Sequence, residues 1–170
     1  MRTKYINLIL LLAAVIVLST GCARPFPSRI TDRVDKSLSF DDLYKNPGSY
    51  KGKWVMLAGF IVASRTEKDG RTYFEVVQKP VDDWGRPFRT DESGGRFIAV
   101  SREFLDPAVY RGGRVITVVG EVVGDSVRQL GGIAYRYPLI TVEALHLWEP
   151  SYGPRYHLAV GVGVGFSHRY

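Results

Sequence analysis

The sequence predicts an all-β domain, built as a small antiparallel barrel with short flanking helices. Three observations point there. Five segments are rich in apolar, β-branched and aromatic residues, turn-forming residues separate them, and strand-like and helix-like segments do not alternate as they would in a parallel αβ sheet.

Trp54 to Ala63 is a nearly continuous apolar run, as expected of a strand with little exposure on either face. Asp69-Gly70 marks a turn, and Thr72 to Gln78 returns with aromatic and β-branched residues, making a hairpin with a longer loop. Pro80 to Gly94 is a polar excursion with two prolines and acids at positions 82, 83, 91 and 92. Gly95 to Val100, Arg114 to Val123 and Ile133 to Trp148 supply the remaining strands. Pro138 has no N–H for a ladder, so the fifth strand is at an edge or bulged there. Such a set fits an OB-like barrel best, and a β-sandwich is the alternative.

A short helix should precede the first strand. Ser39 is a natural N-cap with Asp42 three residues on, and Asn46-Pro47-Gly48 stops the helix near Lys45. Asn46 to Gly52 is echoed by Asp106 to Gly112, which precedes the fourth strand: a capping Asn or Asp, a proline, a tyrosine and a closing glycine. Two uses of one local device explain the echo, because the strands that follow match only in being apolar.

The chain begins as an export signal. Arg2 and Lys4 precede an uninterrupted apolar core, Leu8 to Leu18, of 11 residues, half the length a membrane-spanning helix needs. Ser19, Thr20 and Gly21 are small, and the next residue is the chain's one cysteine, Cys22. This stretch resembles the bacterial lipobox, with Ser19 where leucine commonly stands. The resemblance implies cleavage between Gly21 and Cys22, a diacylglycerol on the Cys22 thiol and acylation of its freed amine. Several acyl chains hold firmly where one alone is reversible. Ala23, not aspartate, follows, which by the same resemblance directs the product to the periplasmic face of the outer membrane. The expected organisation is a signal over residues 1–21, a lipidated N-terminus and tether over 22–37, the barrel over 38–150, and a glycine-rich tail over 151–170.

The full chain holds 23 Lys and Arg against 17 Asp and Glu, a net charge of +6. Loss of Arg2 and Lys4 with the signal leaves +4. The basic residues are scattered, so no nucleic-acid partner is expected. With Cys22 acylated no thiol remains for a disulfide, and packing must supply the stability.

Ordered segments from the second strand to the fifth resemble the Slp family of outer-membrane lipoproteins. They are Glu75-Val76-Val77-Gln78-Lys79-Pro80, Gly95-Arg96-Phe97-Ile98, Phe104-Leu105-Asp106-Pro107, Tyr110, Gly113-Arg114-Val115-Ile116-Thr117-Val118-Val119-Gly120 and Tyr135-Arg136-Tyr137-Pro138-Leu139. The resemblance implies a stress-related envelope lipoprotein and no catalytic residues.

Nothing in the residues themselves points to catalysis or to a cofactor. His146, His157 and His168 do not fall at metal-ligand spacing, so no metal is expected. The acid pairs Asp41-Asp42, Asp82-Asp83 and Asp91-Glu92 are neighbours in sequence, which turns them apart on a strand. No serine sits in a Gly-x-Ser-x-Gly elbow, and Gly94-Gly95 and Gly112-Gly113 lack the lysine of a phosphate loop.

The aromatic residues Tyr73, Trp84, Phe88, Phe97, Tyr135 and Tyr137 lie near Arg71, Arg86, Arg89, Arg96 and Arg136 in sequence. Strand aromatics read as core and loop aromatics as clamps on the excursion; the alternative is an exposed face that binds peptide, glycan or lipid. From Leu158 to Ser167 the tail alternates apolar with small residues, which suits a flexible segment, an added edge strand or part of an oligomeric barrel. The expected function is thus a non-catalytic, lipid-anchored envelope protein, with the membrane as its first partner and an envelope protein or glycan as a further one. A periplasmic binding module is the alternative.

Overall fold

The computed structural model describes residues 24–150, and in it five strands form: β1 (Trp54–Thr66), β2 (Thr72–Lys79), β3 (Arg96–Ser101), β4 (Val115–Leu130) and β5 (Ile133–Leu147). They close into a barrel in the order β1-β2-β3-β5-β4. Four of the five pairings are antiparallel. β3 and β5 pair parallel, from Ile98↔Leu139 to Val100↔Thr141. A five-stranded barrel in this order is an OB-type barrel. The expected fold class is therefore the one that forms, with one parallel contact added.

β1 serves two neighbours. Trp54 to Phe60 pairs with β4, and Ala58 to Thr66 pairs with β2, so residues 58–60 carry both ladders. Gly59 stands at this double junction, buried, with the Val77 carbonyl where a side chain would be. A strand that bends at a barrel corner needs such a position.

β4 runs seven residues past the expected end at Val123. Gly124-Asp125-Ser126 have turn chemistry, yet β5 supplies partners for all three, from Gly124↔Leu139 to Ser126↔Tyr137. The true turn is Gly131-Gly132, with φ of 57° and 88°, as a two-residue hairpin loop demands. The register slips between Val122 and Gly124, and Pro138 lies opposite Asp125 just beyond that slip, where β5 begins to pair with β3. Pro138 thus occupies an irregular stretch, as its missing N–H requires.

Alternation sorts each strand into an inner and an outer face. Phe74, Val76, Phe97, Ala99, Ile116, Val118 and Ile140 fill the interior and are inaccessible to solvent. Leu43, from the helix Phe40–Lys45, is buried in the same core. That helix starts where expected: Ser39 Oγ accepts from the Asp42 N–H at 3.1 Å and donates to its carboxylate.

The echoed segments make equivalent turns at opposite ends of the β1–β4 ladder. The Gly52 N–H donates to the Val122 carbonyl, the Gly113 N–H donates to the Ile61 carbonyl, and Tyr50 and Tyr110 pack on the core. Before the fourth strand the helical feature is a single turn, closed by Tyr110 N–H on the Asp106 carbonyl at 3.0 Å.

The described part of the expected tether lies against the barrel instead. Phe26 is 4 % exposed, residues Ser28–Thr31 form a helical turn, Val34 bridges to Trp54, and the Asp35 N–H donates to the Trp54 carbonyl at 2.9 Å. Sequence periodicity could not show this, because one buried phenylalanine and one backbone bridge suffice to dock the segment.

Candidate functional site

The docked N-terminal segment and the excursion after β2 together shape one face of the protein. The excursion is stiff. Asp82 accepts from the N–H groups of Trp84 (2.9 Å) and Arg86 (2.8 Å), and the Phe88 N–H donates to the Pro80 carbonyl. Lys79, 8 % exposed, donates to the carbonyls of Thr90 (2.8 Å) and Glu92 (3.1 Å). Thr117 Oγ1 donates to the Gly85 carbonyl at 2.6 Å and accepts from Trp148 Nε1 at 2.8 Å, so the excursion tip is bolted to β4. Gly85 lies against the Met56 thioether, and its φ of 78° is a backbone conformation that favours glycine.

Aromatic and cationic groups continue across this face. Phe26 meets His146 edge-on at 6.2 Å, His146 meets Trp148 at 4.4 Å, and the Arg86 guanidinium sits 5.1 Å from the Trp148 ring. Trp84 remains 48 % exposed at the tip. A groove of about 730 Å³ runs between the N-terminal segment and the tip, with Arg24, Phe26, Asp35 and Trp84 among its walls.

Burial, and secondarily the charge of Arg86, holds the His146 imidazole below its ordinary 6.5. The unfolded chain therefore takes up this proton at a higher pH than the folded one. The linked stability is fully present above about pH 6.5 and is lost as pH falls through the lower folded value. A smaller drop in urea midpoint between about pH 7.5 and 5.5 is expected for His146→Gln than for the parent protein.

A second constellation occupies the outer face of β2 and β3. Arg96 Nη1 donates to Glu75 Oε1 at 2.5 Å, the Tyr137 hydroxyl donates to the same oxygen at 3.2 Å, and the Arg96 N–H donates to the Tyr135 hydroxyl at 3.0 Å. Burial first, and the Glu75 charge second, push the Tyr137 phenol up, while Glu75 holds the Arg96 guanidinium protonated. Ile98, Val100 and Tyr137 are buried together here, with Tyr73, Tyr135 and Leu139 packed around them. In OB barrels this outer face is where chains bind. In this protein it is filled by residues of β5. The Glu75–Arg96–Tyr137 set has no local signature in the sequence, because the β2–β3 register, Glu75↔Ile98 and Val77↔Arg96, brings the first two together and Tyr137 joins them from β5, 62 residues after Glu75.

The aromatic set expected from sequence separates into three. Phe97 is interior, Tyr73, Tyr135 and Tyr137 line the filled outer face, and Trp84 and Phe88 are exposed on the excursion. Its arginines separate as well: Arg71 pairs with Asp69, Arg96 with Glu75 and Arg136 with Asp125. Asp41 pairs with Lys45, the Asp42 carboxylate accepts from the hydroxyl of the N-cap Ser39, and Asp82 holds the excursion turn. Among the described residues no three His, Cys, Asp or Glu side chains come together in a way that could hold a metal ion. Gly21, Cys22, His157, His168 and the tail from 151 lie outside the described residues.

These features define a closed OB-type barrel whose customary ligand face is occupied from within the chain. The chain belongs to the outer membrane lipoprotein Slp family, whose family model matches residues 19–163. It is similar to the uncharacterized lipoprotein YeaY of Escherichia coli K12, 31 % identical over 61 % of this chain and about half (52 %) of that protein. It is also similar to outer membrane protein Slp of the same strain, 23 % identical over 82 % of this chain and 73 % of that one. Among solved structures, a small single-stranded DNA-binding protein from Streptomyces coelicolor aligns with a TM-score of 0.38 and 12 % identity, over 56 % of this chain and 94 % of that one. The strand order β1-β2-β3-β5-β4 is what makes the barrel OB-type.

Proposed function

We propose that the protein is a non-catalytic lipoprotein of the outer membrane, held at its periplasmic face by an acylated Cys22 after removal of residues 1–21. The observation that carries this reading is the family match itself, which begins at residue 19 and so takes in the Gly21-Cys22 junction. The barrel then serves an envelope-structural or stress-related role, with residues 151–170 as an appended tail. Cys22→Ser is the direct test. Expected for the parent protein is an intact mass corresponding to a chain starting at Cys22 with acyl chains added, and recovery in the outer-membrane fraction. The variant should lose the acyl mass and leave that fraction. An unmodified parent chain, or a Cys22→Ser variant that stays in the outer membrane, would overturn the reading.

A second reading, a periplasmic binding module for peptide, glycan or lipid, is favoured by the exposed Trp84 and Phe88 on a stiff excursion. The filled outer face of β2 and β3 counts against the OB-type mode of binding.

A further inference from the structure

We infer that the barrel rests directly on the membrane through the face that carries Arg24 and Trp84, with the exposed Trp84 indole seated among lipid head groups. The inference rests on the Cys22 anchor proposed above and adds an orientation and a second contact.

Reach alone brings the barrel to the bilayer. Two residues of fully extended chain span at most about 7 Å, and Cys22 lies two residues before Arg24. The segment that could have acted as a spacer does not. Phe26 is buried, and Val34 and Asp35 are bonded to Trp54. A lysine adds to the docking, since Lys53 Nζ pairs with the Asp35 carboxylate at 3.1 Å. Acyl chains on Cys22 must therefore begin within a few ångströms of Arg24, and the barrel cannot stand off.

The excursion tip lies on the same side as Arg24. The same groove is walled by Trp84, so the anchor's exit and the excursion tip share one face. An exposed tryptophan with arginines nearby suits the membrane–water boundary, where the indole is apolar in body and polar at its N–H. Arg86 stands two residues from Trp84, and Phe88, 52 % exposed, adds apolar surface to the excursion. The loop cannot fold away from the bilayer, because Asp82 and Thr117 fix its backbone.

The test uses the mature lipidated protein, reconstituted into vesicles of phosphatidylethanolamine and phosphatidylglycerol, with and without bromine on the acyl chains near the head group. Intact mass is read first, to show acylation at Cys22. Tryptophan emission is then compared for the parent protein and Trp84→Phe, an exposed substitution that leaves the fold alone. The expected result is bromine quenching in the parent protein that is largely lost in the variant, with Trp54 and Trp148 still emitting. A chain without acyl groups defeats the anchor and this inference together. An acylated chain whose emission is unquenched, or equally quenched in Trp84→Phe, overturns the seating alone. So does a Trp84 emission that ignores vesicles and shifts with soluble peptidoglycan fragments, which would make the face a glycan site.

Discussion

Gly59→Ala is expected to destabilise the protein by more than about 3 kcal/mol, the upper end of what overpacking costs. A methyl group built there overlaps the Val77 carbonyl oxygen and lies 2.7 Å from the Val77 carbonyl carbon and 2.9 Å from Val76 Cγ1. Two of these three atoms are backbone of the paired strand, so no side-chain rotation relieves the overlap. Relief requires β2 to move away from β1 at Gly59↔Gln78, which breaks the ladder at the position where β1 also pairs with Ile116 of β4. Domains of this size hold about 5–15 kcal/mol in all, so the variant should show a large fall in urea midpoint and a low yield. Gly48→Ala is the control, since nothing lies within 4 Å of a methyl there. Equal midpoints for the two variants would show that the β1 corner has more freedom than its packing implies.

Phe97→Ala should cost about 3–5 kcal/mol, the usual range for a large aromatic removed from a closed core. Its ring is inaccessible, meets Phe40 at 6.2 Å, and belongs to the main cluster with Leu43, Val76 and Ile116. Phe104, 64 % exposed in the loop after β3, is the matched comparison, and Phe104→Ala should change stability by less than about 0.5 kcal/mol. The pair is measured by urea denaturation of the whole chain. A small effect at Phe97 would mean that the interior collapses around the gap.

Phe97 also shows what a linear sequence can and cannot convey. Its place among apolar neighbours marks a strand, and the five apolar runs with their turns were enough to predict an OB-like barrel. Whether its ring points inward or outward depends on pleat phase and on which strands adjoin, and that is set by pairings far apart in sequence. Tyr135 and Tyr137 share the face of Glu75 for the same reason, through a contact 62 residues long. β4 continues past Val123 because the β5 ladder overrides the turn propensity of Gly124, Asp125 and Ser126. Docking of residues 24–37 depends on Phe26 and one backbone bridge to Trp54, and so carries no periodic signal. The anchor motif is different: Gly21-Cys22 is a local chemical signal, legible without a fold.

The double pairing of β1 has a consequence for how the chain acquires its structure. β1 can zip with β2 as soon as a hairpin's length has emerged, but its other edge waits for β4, since Phe60 pairs with Val115 and Trp54 with Glu121. Contacts of such sequence separation are slow to form, because the loop must close before any pairing energy is gained. During synthesis and threading from the amino end, Trp54 to Phe60 is therefore a bare, apolar strand edge until residue 115 and beyond arrive. Such an edge recruits other strands readily. A chain truncated before Val115 should accordingly self-associate through β1, and the vulnerable period of this molecule's life is its assembly, before the barrel has closed.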